Sequence, residues 1–137
     1  MNWYIAVLKK YADFDGRARR SEFWWFNLIS TLIYMVPYTI LVVTMIDSSG
    51  DMDNGTIQVL SSILGFYGLA VFVPSLAVTV RRLHDTGRSG WNVLWSILPL
   101  IGSVILLIYF FTDSQPGANE YGPNPKNEGQ EFELYEN

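Results

Sequence analysis

Cysteine is absent from this chain and charge is scarce. Its 137 residues include no cysteine, one histidine and only 22 charged residues, or 16%, whereas a soluble domain has about a quarter. The lack of cysteine excludes a disulfide framework and is compatible with either side of a membrane. A single histidine cannot form a histidine-based metal site alone. Because half of the residues are hydrophobic, the shortage of charge excludes an ordinary soluble globular fold and a disordered chain.

The charges lie between three long segments that carry none. Residues 23–46, 57–80 and 91–112 contain no charged side chain and are 24, 24 and 22 residues long. An α-helix rises about 1.5 Å per residue, so each segment is long enough to cross a hydrocarbon core about 30 Å thick. The sequence therefore predicts an all-α integral membrane protein with three transmembrane helices at about these positions.

Each predicted span contains one internal proline, which removes a backbone donor from its helix. Such prolines bend a membrane helix where a neighbouring helix or hydroxyl satisfies the freed carbonyl. We therefore expect three kinked helices, with bends at Pro37, Pro74 and Pro99.

The N-terminal residues repeat apolar and aromatic side chains at helical spacing beside Lys9 and Lys10. This pattern is typical of a short amphipathic helix that lies in the membrane interface. The predicted apolar face consists of Trp3, Tyr4, Val7, Leu8 and Tyr11.

The segment after the third predicted span is rich in acids, prolines and glycines. Residues 113–137 contain six acidic residues against a single lysine, Lys126. Such a composition buries too little apolar surface to offset the entropy of ordering. We predict a single membrane domain over 1–126 and an acidic, flexible tail over 127–137.

The basic residues predict how the chain is oriented. Five lie before the first span and three between the second and third, whereas the loop between the first two spans has none. Lysine and arginine in short loops are retained in the cytoplasm, so we expect the N-terminus and the loop at 81–90 to be cytoplasmic. Three spans then place the C-terminus on the outer side of a multi-pass plasma-membrane protein. The alternative is that one segment is re-entrant or that an extra interfacial element exists, in which case the tail returns to the cytoplasm.

Two short segments combine arginines with tryptophans beside the predicted membrane surface. Residues 14–24 and 81–91 together contain six arginines, and each segment ends in a tryptophan. The planar guanidinium of arginine binds phosphate or carboxylate through paired hydrogen bonds. We predict a cytoplasmic face that engages anionic lipid headgroups or an acidic partner. Its residues are Arg17, Arg19, Arg20, Arg81, Arg82, Arg88, Trp24 and Trp91.

The alternative is that these arginines only fix the orientation of the chain. In that case they pair with the acidic residues of the same two segments, which are Asp15, Glu22 and Asp85.

A catalytic interpretation would depend on a polar cluster of Asp15, Glu22, His84 and Asp85. His84 and Asp85 resemble an acid/base pair, but adjacent residues on a helix do not face each other. The sequence has no serine elbow, no metal-spaced histidines and no phosphate-binding glycine loop. We therefore expect a protein that is not an enzyme, with no metal and no cofactor. The alternative is a small membrane enzyme or permeation component that uses His84 and Asp85.

Four stretches of the sequence resemble a widespread bacterial family. They read FDGRARRSEFWWFNL over 14–28, RRLHDTGRSGW over 81–91, LPLIG over 98–102 and DSQPGANEYGPNPK over 113–126. The chain is similar on these residues to the domain-of-unknown-function family 805, whose members are small inner-membrane proteins. Asn92 departs from the tryptophan frequent there, and eleven residues follow Lys126. The resemblance implies a bacterial plasma-membrane protein with no established activity and an ordered segment at 121–126.

The combined prediction is a non-enzymatic integral membrane protein. We expect it to contact membrane lipids, and to associate with itself or with another membrane protein. The net charge of −4 and the position of the basic residues beside the membrane argue against a nucleic-acid partner.

Overall fold

The computed structural model describes residues 3–47 and 54–127, and every regular element in this part of the chain is helical. The α-helices are α1 (Trp3–Lys9), α2 (Arg20–Asp47), α3 (Asn54–Asp85) and α4 (Ile101–Phe111). A 3₁₀ helix, Gly90–Ile97, precedes α4. An isolated bridge between Asn119 and Gly122 orders the chain after α4.

Helices α2 and α3 form a long antiparallel pair. They contain 28 and 32 residues, and both are long and apolar enough to cross a membrane. At about 1.5 Å per residue they extend over roughly 42 and 48 Å. The end of this pair formed by Arg20 and Asp85 is called the arginine end below.

Prolines lie inside both long helices without ending them. Pro37 is in α2 and Pro74 is in α3. Pro74 has no amide hydrogen, so the carbonyl of Ala70 loses its usual helical donor. The hydroxyl of Tyr11 donates to that carbonyl at 2.6 Å. A side chain from the N-terminal segment therefore supplies the hydrogen bond that the proline removes, while the bends at both prolines stay a prediction.

The third predicted span, 91–112, is not a single transmembrane helix. It is divided into the 3₁₀ helix and α4, which contain 8 and 11 residues and each extend over roughly 16 Å. The prediction was based on the length of the charge-free segment. A segment of this length can form one long helix or two short ones, so its length does not distinguish them. Pro99 therefore marks a break between helices, where a bend was expected.

A tight turn reverses the chain between these two short helices. Leu98, which precedes Pro99, is extended, as residues before proline usually are. Leu100 has φ 66° and ψ −71°, and the amide of Ile101 donates to the carbonyl of Pro99 at 2.9 Å. These values define a γ-turn with positive φ, a rare and strained conformation for leucine.

Gly102 allows the two short helices to meet. A Cβ atom at this position would lie 1.7 Å from the carbonyl oxygen of Trp95, so only glycine fits there without a backbone shift. The 3₁₀ helix, the turn and α4 together form a hairpin. At its open end, the guanidinium of Arg88 lies 3.8 Å from the ring centroid of Tyr109. The segment therefore leaves the arginine end, reverses at Leu100 and returns to the same end.

This reversal corrects the predicted position of the tail. Three spans would have placed the tail opposite the N-terminal segment, but the amide of Gln115 donates to the carbonyl of Asp85 at 2.9 Å. Residues 113–127, which are called the tail below, lie at the arginine end together with the N-terminal segment. Residues 128–137, which make up most of the predicted flexible tail, are outside the described residues.

A small core lies at the arginine end. Tyr4 of α1 stacks on Phe26 of α2 with ring centroids 5.2 Å apart, and Phe110 of α4 packs on Phe23 at 4.4 Å. These contacts fix α1 and α4 against the long pair. The buried members of the core are Val7, Ala18, Phe23, Phe26 and Val78.

Candidate functional site

The fold brings the two arginine-containing segments together. The segment before α2 crosses the end of α3, where the amide of Ala18 donates to the carbonyl of Arg81 at 3.0 Å. The residues after α4 close over both segments. Three parts of the chain that are far apart in sequence therefore meet at the arginine end.

Asp85 is the centre of a buried charge network. The side chain is completely buried, and its Oδ1 accepts a hydrogen bond from Nε of Arg17 at 3.0 Å. Its Oδ2 accepts from Nη1 of Arg82 and, at 2.6 Å, from the hydroxyl of Ser114. Two guanidinium groups and a hydroxyl thus compensate the carboxylate for its loss of water.

The same two arginines bind the chain that follows α4. Arg17 donates through Nη2 to the carbonyl of Gln115 at 2.6 Å and through Nη1 to that of Gly117 at 2.7 Å. Arg82 donates to the carbonyl of Thr112. Because backbone carbonyls accept without regard to side-chain identity, these contacts depend on the path of the tail rather than on its sequence.

A second buried ion pair lies beside the first. Nη1 of Arg81 is 2.9 Å from Oε1 of Glu22, and the Arg81 side chain is completely buried. Among the described residues, Nε and Nη2 of Arg81 have no hydrogen-bond partner. Since Arg17 and Arg82 share Asp85, three buried guanidinium groups face two carboxylates, and the layer carries an excess of one positive charge.

His84 holds the tail through its ring. The imidazole stacks on the ring of Tyr121 with centroids 3.8 Å apart and an interplanar angle of 3°. Its Nδ1 is 3.2 Å from the carbonyl oxygen of Gly16, an acceptor, so we assign the ring proton to Nδ1. The backbone carbonyl of His84 accepts from the side-chain Nδ2 of Asn119 at 2.9 Å.

The residues of the predicted polar cluster therefore have different positions. Glu22, His84 and Asp85 are buried in one layer, but each is bound to a different partner, and Asp15 is exposed. The carboxylate of Asp85 and the ring of His84 do not contact each other. Among the described residues, no three histidine, aspartate or glutamate side chains are grouped to hold a metal ion.

The predicted contact residues also divide into buried and exposed groups. Arg17, Arg81 and Arg82 are buried and bind within the chain, which removes them from the surface that the sequence predicted. The alternative interpretation was that the arginines pair with nearby acids, and in the structure Asp85 and Glu22 do form such ion pairs. The remaining predicted residues have some exposure: Arg19, Arg20, Arg88, Trp24 and Trp91.

The exposed residues occupy different parts of the arginine end. Arg19 donates through Nε to the carbonyl of Pro125 at 2.6 Å, and Arg20 is exposed at the start of α2. Trp24 packs on Phe111 with centroids 4.8 Å apart. Trp91 is 78% exposed at the start of the 3₁₀ helix.

A cavity of about 500 Å³ lies between α1, the segment before α2 and the tail. It is called the N-terminal cavity below. Trp3 and Lys10 line it from the N-terminal side, and the guanidinium of Arg19 lies 6.0 Å from the Trp3 ring centroid. Its other principal lining residues are Arg17, Glu22, Tyr121 and Pro125.

Four of these lining residues were not predicted as site residues from the sequence. Trp3 and Lys10 are seven residues apart, which places both on one side of a helix and is the signal that could have identified them. Tyr121 and Pro125 belong to the segment whose only signal was its family resemblance. Their role depends on the return of the tail to the arginine end.

An exposed ion pair closes the tail on itself. Nζ of Lys126 is 2.5 Å from Oδ1 of Asp113, and both side chains are accessible to solvent. The hydrogen bond from Lys126, supported by the backbone amide of Ser114, lowers the pKa of Asp113 below its usual value. Because the pair is exposed, it adds little to the stability of the fold.

Comparisons with known proteins identify relatives over nearly the whole chain. A family described as "Protein of unknown function (DUF805)" matches residues 11–123. The inner membrane protein YhaI of Escherichia coli K12 is 40% identical over 126 residues, which cover 92% of this chain and 97% of the relative. The inner membrane protein YhaH of the same strain is also 40% identical, with 92% and 98% covered. No solved structure matches this chain.

Proposed function

The chain belongs to the DUF805 family of proteins of unknown function, and from this premise we propose that it is a non-enzymatic inner-membrane protein that binds anionic lipid headgroups in its N-terminal cavity. Relatives that are inner membrane proteins, together with the two long apolar helices, support an integral membrane protein. The observation that carries the headgroup proposal is the N-terminal cavity, which Lys10 lines and where the guanidinium of Arg19 lies over the ring of Trp3.

The proposed orientation places the arginine end in the cytoplasm. With the tail returned to this end, all nine basic residues of the chain lie on one side of the long helix pair. The connection between α2 and α3, on the other side, contains none. Retention of basic residues in the cytoplasm therefore favours an even number of crossings, with the N-terminus and the described part of the tail inside.

The chemistry of the cavity suits a phosphate group attached to an apolar tail. Lys10 and Arg19 supply positive charge, and Trp3 supplies an amphipathic ring of the kind that prefers the headgroup layer. The buried layer beneath, to which Arg17 and Glu22 belong, adds one uncompensated positive charge. An anion that enters the cavity would therefore meet a positive potential.

The proposal is tested by native mass spectrometry of the purified protein in mixed phosphatidylglycerol and phosphatidylcholine. The variant with Lys10→Ala and Arg19→Ala should bind phosphatidylglycerol about thirtyfold more weakly, since the two charged contacts contribute on the order of 1 kcal/mol each. Lys9→Ala is the matched control, because Lys9 is exposed on the same helix and does not line the cavity. Equal losses in the two variants would mean that the cavity is not a headgroup site.

A further inference from the structure

We propose that the turn at Leu100 inserts into the groove between α2 and α3 of a second copy of this chain. This groove is formed by two adjoining cavities of about 250 and 680 Å³, both lined only by residues of α2 and α3. The turn lies between the 3₁₀ helix and α4, and neither it nor these helices line the two cavities of their own chain.

The turn has a physical need for a protein partner. Non-helical backbone at membrane depth is stable only where protein or a water-filled cavity surrounds it, because lipid offers no hydrogen bonds. The turn pairs part of its backbone within itself, since the amides of Ile101 and Gly102 donate to the carbonyls of Pro99 and Leu98, but it remains non-helical backbone at this depth. Yet Leu100 is 83% exposed, and Ile97 and Ile101 beside it are 72% and 69% exposed.

Leu100 itself indicates a contact. Its positive φ is strained for leucine, whereas glycine would adopt the same conformation without strain. The side chain gains no burial within its own chain that would offset this strain. A hydrophobic contact with a second protein would stabilise a leucine at this position.

The turn and the groove lie at the same depth. The 3₁₀ helix extends over about 16 Å from Gly90 to Ile97 at 2.0 Å per residue. Thr31 of α2 is 11 residues from Arg20, and Ser75 of α3 is 10 residues from Asp85, or about 15–17 Å from the arginine end. Residues at equal depth can meet across a two-fold axis along the membrane normal, with each turn in the other copy's groove.

The groove provides suitable surfaces for the turn. Gly65 and Gly68, about 26–30 Å from the arginine end and therefore deeper than the turn, have open space where a Cβ atom would lie, which leaves the far part of the groove open to another helix. Ser30 lines the same groove but is nine-tenths buried, and its backbone carbonyl accepts a hydrogen bond from the hydroxyl of Tyr67 at 3.3 Å. Thr31 and Ser75, which are more accessible, supply hydroxyls for the backbone of the turn. Since one chain supplies both surfaces, a second copy is the occupant that we infer.

The chain has no cysteine, so a pair of engineered cysteines gives an unambiguous test. One copy carries Leu100→Cys and a differently tagged copy carries Thr31→Cys, and both are expressed together in the membrane. A disulfide requires Cα atoms within about 7 Å. Oxidation should give a product containing both tags. In the matched control Ile33→Cys replaces Thr31→Cys, because residue 33 is at nearly the same depth but about 160° around α2.

A second variant measures the contribution of the leucine. Leu100→Gly removes the side chain and relieves the strained turn, so the variant should fold normally and dissociate at least tenfold more readily in lipid nanodiscs. Leu32→Ala, at an exposed position of α2 outside the groove, should leave association unchanged. The proposal fails if Leu100→Cys forms no product with Thr31→Cys, if it reacts equally with Ile33→Cys, or if Leu100→Gly associates as the unmodified chain does. It stands only if the crosslink is selective and the glycine variant dissociates.

Discussion

Replacement of Asp85 by asparagine removes one negative charge from the arginine end while preserving the shape of the side chain. Arg17 and Arg82 would then be buried side by side with no carboxylate between them, and the new amide group would direct hydrogen-bond donors toward guanidinium donors. Removal of one partner from a buried ion pair costs about 3–5 kcal/mol. This is a large fraction of the roughly 5–15 kcal/mol that stabilises a typical domain.

The expected effect is release of the tail before global unfolding. Arg17 binds both Asp85 and the carbonyls of Gln115 and Gly117, so a displaced guanidinium would free residues 113–127. Hydrogen exchange measured by mass spectrometry in nanodiscs should show faster exchange in this segment, and thermal unfolding should occur at a lower temperature. The comparison is with Asp113→Asn, which removes an exposed ion pair of the same tail.

The two variants should differ because one carboxylate is buried and the other is exposed. Asp85→Asn should expose the tail strongly, while Asp113→Asn should change its exchange only near Lys126. If Asp85→Asn and Asp113→Asn show the same hydrogen exchange in the tail and the same unfolding temperature, the buried network does not hold the tail in place.

Three further predictions follow from individual contacts. Tyr11→Phe should destabilise the fold by about 1 kcal/mol in thermal unfolding, but by less when Pro74→Ala restores the helical donor to Ala70; equal costs in both backgrounds would exclude the proposed compensation. Gly102→Ala should destabilise the hairpin by about 3 kcal/mol or more, because the Trp95 backbone blocks the new methyl group, and normal stability would contradict that packing. The folded pKa of Asp113 is lowered, so the contribution of its pair with Lys126 is present above the usual aspartate pKa of about 3.9 and is lost as pH falls through the lower folded value. Protease protection next to Lys126 should decline in that acid range, and an unchanged acid profile in Asp113→Asn would refute this assignment.

The two long helices were predictable because one physical property determines them. In lipid, the backbone N–H and C=O groups of a charge-free segment of 24 residues must form hydrogen bonds within the segment. A helix forms these bonds whatever its neighbours are. Residues 23–46 and 57–80 accordingly lie inside α2 and α3. Residues 91–112 are likewise free of charge, but their path depends on Pro99, on the positive φ of Leu100 and on the space at Gly102, which the absence of charge does not record.

The candidate site was predictable in composition but not in geometry. The sequence identified the two arginine-containing segments, and the spacing of Arg82 and Asp85 by three residues was compatible with an ion pair on one helix face. It could not tell that Arg17, Arg81 and Arg82 point inward while Arg20 and Arg88 point outward, because burial depends on the path of the tail. That path in turn depends on the reversal at Leu100.

The central claim is that the third apolar segment reverses and returns the tail to the arginine end. Single cysteines at Lys9, Thr56 and Asn127, in a chain that has none of its own, can be labelled with a membrane-impermeant maleimide in intact and in inverted membranes. The structure predicts that positions 9 and 127 label from the same side and position 56 from the other. Labelling of position 127 from the side of position 56 would contradict the reversal and restore three crossings.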